Sequence, residues 1–419
     1  IQNIMKWAEG IDKLGITLYI LLCVFAILNI YSVKEDLGQK QLIFFGISLF
    51  VGFIIFLMRT KFFENMSPII YVGGVLLLIG LFPFGTEILG QKNWYKFGGF
   101  TMQPVEFAKI GTALMLANYV SNPDFNINNN KDLYISLAIV AIPGVVVLMI
   151  PDVGSLLVFI AFAIALYREG LSGKLFIVGT LFAGVFLIAN YLNDPLGWSL
   201  WYFAMFILVV GAIWFAFNAF ALRRNIYSLL PSVGIIIGLV ALSMISPVIF
   251  EKLPKHQQER VEVLYKGERE FRDTSGYNLL YSKTAIGSGG MTGKGYKQGS
   301  VTQGKFVPEQ ETDYIFCTVG EEWGFVGSAI LIICYTLFIG RIYYLAENQK
   351  STFNRVFGYS FASVLLIHFA INLGMVMGLF PTVGIPLPFF SYGGSSLLAF
   401  SIMTFIFFKL NYADKNSLV

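Results

Sequence analysis

Hydrophobic runs punctuate this chain at near-regular intervals. Apolar windows recur at roughly 15–33, 41–58, 68–85, 104–121, 134–151, 153–167 and 174–192, and again at 199–220, 228–250, 324–346, 356–380 and 393–410. Most approach the ~20 residues that a helix needs to cross a bilayer. The pattern predicts an all-α, polytopic membrane helix bundle of about twelve transmembrane helices. A ten-helix count is the alternative if 199–250 forms re-entrant or surface segments, for which Pro231 and Gly234 supply a breaking point. One long polar stretch, 251–312, interrupts the rhythm, and a shorter one, "FPTVGIPLPFFSYGGSS" at 380–396, carries three prolines and three glycines. Non-helical backbone at membrane depth is tolerated only where it is buried in protein or lines a cavity.

Composition strengthens this picture. Of 419 residues 56% are hydrophobic and only 13% charged, so no soluble domain is expected. The net charge of +4 is spread along the chain, which argues against a nucleic-acid surface. Cys23, Cys317 and Cys334 lie in or beside apolar runs without metal-like spacing and read as small hydrophobes. The opening stretch "IQNIMKWAEGIDKLG" lacks a signal-peptide cleavage site, so the first hydrophobic run is expected to be a retained span. Basic residues give the orientation: Lys6, Arg59, Lys61, Arg223, Arg224, Arg341 and Arg355 fall on one side, with only Lys34, Lys40, Lys92 and Lys96 in the short loops opposite. Both termini are then cytoplasmic and 251–312 is one large extracellular loop. Within that loop the run "YNLLYSKTAIGSGGMTGKGY" reads either as a linker or as backbone packed at close range, and the linker is the default.

Ionisable residues beside hydrocarbon are costly and mark candidate chemistry. Glu309, Glu311 and Asp313 crowd the end of the polar stretch, with Glu321 and Glu322 beyond it. Asp313 reads as a helix cap or as a functional carboxylate favoured by the helix dipole; Glu309 and Glu311 read as a solvated acidic rim. Glu321 and Glu322 face either a cavity or headgroup water. Glu106 and Lys109, three apart after Pro104, share one face of a helix, either as a local ion pair or as part of a polar site. Asp152 caps a helix or faces the same cavity, and Trp94 reads as an interfacial anchor. His368 and Asn372, four apart, suit interhelical hydrogen bonds better than a metal. Two histidines make a histidine-built metal site improbable.

Five stretches, in order, resemble the SEDS family (shape, elongation, division and sporulation proteins), its RodA branch more than its FtsW branch. They are "GQKNWYKFGGFTMQPVEFAK" at 90–109, "PDVGS" at 151–155, "GYNLLYSKTAIGSGGMTGKG" at 276–295, "FVPEQETDYIFCTVGEEWGFVGS" at 306–328 and "GIPLPFFSYGGSS" at 384–396. The resemblance implies a single transmembrane domain over 1–419 with a core of ten helices, in the bacterial cytoplasmic membrane, and the apolar windows at 199–250 suggest a pair of spans beyond the family's usual ten. It implies a peptidoglycan glycosyltransferase that polymerises lipid II at the outer face during elongation, among membrane lipids and beside a class B penicillin-binding protein. The family's essential acid falls on Asp313, its Glu and Lys pair on Glu106 and Lys109, and its loop tryptophan on Trp94. The residue before that tryptophan is Asn93 rather than the usual Arg, and Gln258 and Arg260 stand where paired arginines are common.

An α-linked donor and a β-linked product require inversion, for which one base suffices. Asp313 is the expected base, and Lys109 either orients a carboxylate or faces the diphosphate. Arg260, Lys283, Lys294 or Lys305, or a divalent cation (Mg or Mn) on Asp313, could neutralise the leaving group. The rival readings are a flippase for lipid-linked sugars and a scaffold for wall synthesis. The singled-out polar residues cluster toward the outer ends of helices, which favours chemistry there.

Overall fold

The structure, a computed structural model, describes residues 12–88, 91–98, 100–150, 152–223 and 225–416. Lys6 and Arg224 of the basic tally, and Pro151 ahead of Asp152, lie outside these residues. Two compact units are present: Ile1–Leu171 with Asn278–Val419, and Ser172–Tyr277.

The first unit opens with α1 (Lys13–Val33), α2 (Glu35–Leu57), α3 (Thr60–Ile79) and the single turn α4 (Leu81–Phe84). A small antiparallel sheet follows, β1 (Thr86–Ile88), β2 (Gln91–Phe97) and β3 (Phe100–Met102), with Thr86 opposite Trp94 and Lys96 opposite Thr101. Then come α5 (Pro104–Val120), α6 (Asn130–Met149) and the short α7 (Val153–Phe159) and α8 (Phe162–Arg168). The second unit holds α9 (Lys174–Asn193), α10 (Leu200–Ala216) with a π turn after it, α11 (Ile226–Glu251) and α12 (Lys255–Lys266). The chain returns to the first unit through α13 (Tyr277–Ser288), α14 (Ser300–Gln303), α15 (Ile315–Glu347), α16 (Thr352–Met377) and α17 (Gly394–Asn416).

Among the described residues each apolar window is largely helical, the one at 153–167 as two short helices and not one span. Ten of the helices among the described residues are long and apolar enough to cross a membrane; α5, at 17 residues, and the α7–α8 pair are shorter. This is a polytopic all-α membrane protein. Helices dominate because hydrocarbon offers backbone groups no partner, so each segment must satisfy its own. Pro231 does not break the ninth window: α11 runs unbroken through it. It lies near the helix start, where few preceding carbonyls are left unpaired, and membrane helices accommodate such prolines.

Burial identifies the centre of the first unit. In α16 and in α17 67% of the apolar window is buried, against 28% in α2. Aromatic rings pack the loop before α17 against its neighbours, with Phe389 and Phe400 5.8 Å apart and Phe338 of α15 edge-on to Phe389. Of the polar residues singled out, His368 and Asn372 lie on one of these buried helices, α16. Cys23 and Cys317 are buried and all three thiols are free, as small apolar fillers would be.

Candidate functional site

The site begins with a broken helix. In α15 Gly324 adopts φ 64° and ψ −158°, a backbone state essentially reserved for glycine. The groups freed by the break are satisfied from the glycine-rich run. Lys294 and Gly295 donate backbone N–H bonds to the carbonyls of Glu321 and Glu322, and Phe325 and Val326 donate to Gly290 and Met291. A Cβ on Gly293 would lie 2.1 Å from the Glu322 carbonyl oxygen, and one on Gly289 1.9 Å from that of Gly320. The run is thus a packed insert, not the linker expected by default. Glycine is required there because backbone meets backbone.

Glu321 and Glu322 face neither an open cavity nor headgroup water; both are buried. The Glu321 carboxylate accepts from Lys294 Nζ at 2.7 Å and from the Val301 and Thr302 amides at 2.9 and 2.7 Å. Ser32 donates to Glu322. These carboxylates hold the insert in place, and Lys294, a candidate diphosphate contact from the sequence, is committed to Glu321. At the insert's tip Lys297 pairs with Glu35, which raises the lysine above its ordinary range.

The insert leads into the acidic turn. Asp313 is half-buried and precedes Tyr314, the N-cap residue of α15, so it stands one position outside the cap expected for it. Three successive carbonyls fasten the turn, two to the Pro/Gly loop 380–393 and the third to Asn372 on α16. Glu311 O accepts from Tyr392 N at 2.8 Å, Thr312 O from Ser391 Oγ at 2.6 Å, and Asp313 O from Asn372 Nδ2 at 2.8 Å. Gly384, at φ +72°, places its backbone so close that a Cβ would lie 3.1 Å from Asp313 Oδ2. Burial, and then nearby Glu311, push the Tyr392 phenol above its ordinary value. Glu309 is exposed and Glu311 partly so, consistent with an acidic rim.

Glu106 and Lys109 occupy the first turns of α5, behind Pro104 at the helix start. Both are almost wholly buried, with Lys109 Nζ 2.9 and 2.8 Å from the two carboxylate oxygens and 2.8 Å from His368 Nε2. His368 Nδ1 lies 3.0 Å from Pro386 O. A carbonyl only accepts, so Nδ1 carries the hydrogen and Nε2 accepts from the ammonium. Lys109 also sits over the Phe400 ring at 5.0 Å. Lys109 Nζ is thus engaged inside the protein by Glu106 and His368.

Asp152 caps α7, accepting from Ser155 N at 2.9 Å and Ser155 Oγ at 2.7 Å. It also accepts from Asn93 Nδ2 at 3.1 Å and lies near enough to act electrostatically on Lys109. Strand alternation turns Trp94, next to Asn93, to the other face of the sheet. Lys305 is exposed, at φ 53°. Arg260 lies on α12 in the second unit, partly buried. Sequence reasoning missed Ser391 and Gly384, although the motif "GIPLPFFSYGGSS" contained both, and it read Asn372 only as interhelical glue.

A family model described as a cell cycle protein, FtsW/RodA/SpoVE, matches residues 8–196 and 226–416. The chain belongs to the FtsW/RodA/SpoVE family. The unmatched 197–225 holds α10, inside the region where an extra pair was expected. Within this family the chain is 29% identical over 392 residues to the peptidoglycan glycosyltransferase MrdB of Escherichia coli K12, covering 93% of this chain and 90% of that one. It is 29% identical over 371 residues to the peptidoglycan glycosyltransferase RodA of Treponema pallidum, 83% of each. Its fold matches a chain of a peptidoglycan synthase complex, studied for how polymerization and crosslinking are coordinated, with a TM-score of 0.70 at 24% identity, covering 97% of this chain and 98% of that one.

Proposed function

We propose that the chain is a peptidoglycan glycosyltransferase that polymerises lipid II into glycan strands at the outer face of the cytoplasmic membrane during cell elongation. The observation that carries this reading is the placement of Asp313, a carboxylate held between the start of α15 and the Gly384 backbone, with Glu106, Lys109 and His368 buried behind the same loop. Relatives named for that activity match along nearly the whole chain.

In the reaction, Asp313 takes the proton of the acceptor sugar's hydroxyl as its oxygen attacks the anomeric carbon. The carbon–oxygen bond to the lipid diphosphate breaks on the opposite face, which inverts the centre. The Glu106–Lys109–His368 chain orients the loop that faces Asp313. The departing diphosphate requires positive charge, for which Lys305 is available in the proposal. A divalent cation would do the same. Asp313 would hold it beside diphosphate oxygens and water, since one or two carboxylates suffice for Mg²⁺ bound with a phosphate; among the described residues no three His, Cys, Asp or Glu side chains converge.

A class B penicillin-binding protein is the proposed partner, because the structural relative is part of a complex that couples polymerization to crosslinking. Purified chain incubated with lipid II, with and without that partner, should yield glycan polymer on a gel. Binding without polymer under both conditions would favour the flippase or scaffold reading.

The site faces outward and both termini are cytoplasmic in this proposal. Single cysteines introduced at 265–275 should react with an impermeant reagent in intact cells, while one at Arg223 should be protected. Labelling at 223 from outside would reverse the orientation.

A further inference from the structure

We infer that Asn372 is a positioning residue for Asp313, the pivot of a clamp that sets where its carboxylate can reach. The inference rests on the reading of Asp313 as the base. Asn372 lies one turn beyond His368 on α16 and is fully buried. Both hydrogens of its amide are committed, one to Asp313 O at 2.8 Å and the other to Ile385 O at 2.7 Å. One side chain therefore ties the acidic turn to the Pro/Gly loop at the point where that loop meets the carboxylate.

The remaining contacts make this tie a clamp. Ser391 donates from its hydroxyl to Thr312 O and accepts from Leu387 N at 2.7 Å, bracing the loop internally. His368 holds Pro386 O, the carbonyl next to Ile385, and passes that hold to Lys109 and Glu106 on α5. Two neighbouring loop carbonyls are thus gripped by two side chains of one helix, while Gly384, one residue earlier, lies against Asp313 Oδ2. Removing the amide strands two carbonyls and frees the turn to shift against the loop. A shift of about 1 Å in a reacting group costs on the order of 10²-fold in rate.

Ordinary interhelical glue would contribute to stability and nothing else, which makes the two roles separable. In full-length protein with its transpeptidase partner, Asn372→Ala should lower kcat for lipid II polymerisation by about 10- to 100-fold. KM should stay within about twofold and the melting temperature within a few degrees. Gly384→Ala tests the same idea from the other side and does not depend on the first variant folding: its methyl would press on Asp313 Oδ2, and kcat should again fall with KM retained. Full kcat in either variant as folded protein, or activity lost only in proportion to folded protein, overturns the clamp. If Asp313→Asn is inactive while both variants keep full rate, the base stands and the clamp alone fails. If Asp313→Asn retains its rate, the base reading fails and takes the clamp with it.

Discussion

Alanine at position 324 is expected to abolish recovery of folded protein. Gly324 carries a backbone conformation that other residues adopt at a cost of about 1–3 kcal/mol. The added methyl would also lie 2.3 Å from Gly293 N and 2.9 Å from Gly290 O. These are backbone atoms of the insert, which cannot swing aside as a side chain would, so overpacking adds about 1–3 kcal/mol. The sum is a large share of the ~5–15 kcal/mol that separates folded from unfolded domains. It also strikes the bonds that pair Phe325 and Val326 with the insert. Size-exclusion profiles in detergent should show the monodisperse peak lost in Gly324→Ala. Gly46→Ala, at a helical position with no atom within 4 Å of the new methyl, should leave the peak in place.

That break explains where hydrophobic pattern alone fell short. The tenth window begins at 324, yet α15 begins at Ile315. Its first residues include Glu321 and Glu322, which no hydropathy argument would bury. They are buried because Lys294, Val301 and Thr302, some twenty residues away in sequence, supply donors to Glu321, and Ser32 on α1 supplies one to Glu322, pairings that periodicity cannot register. The glycines that let the insert pack were visible in the sequence, but a glycine-rich run looks the same whether it packs or dangles. The spans themselves were legible because each is decided locally, by length and apolar content.

The site divides in the same way. Glu106 and Lys109 could be paired from their spacing, and Pro104 and Asp152 take the helix-start roles that their positions suggested. His368 completing the ion pair, and Asn372 gripping Asp313, could not be read, because each joins α16 to a segment far from it in sequence, α5 for the first and the acidic turn for the second. Trp94 marked the right strand, but it is Asn93 that reaches Asp152. A polar alternation of two inside a short strand leaves open which neighbour turns inward until the sheet has a position.

The claim that Asp313 performs the chemistry is tested most directly by Asp313→Asn. Asparagine keeps the shape and the backbone carbonyl that Asn372 holds, but it cannot take a proton or serve as a charged metal ligand. Loss of a general base typically costs about 10²–10⁴ in rate. Glu309→Gln is the control for bulk charge: Glu309 is exposed, its Oε2 accepts from Thr312 Oγ1 at 3.2 Å, and Gln can still accept that bond. The measurement is lipid II polymerisation by purified, well-folded protein with its partner, alongside lipid II binding. The account predicts that polymer disappears in Asp313→Asn while binding persists, and that Glu309→Gln keeps most of its activity. Polymerisation by Asp313→Asn at near the parent rate would contradict it.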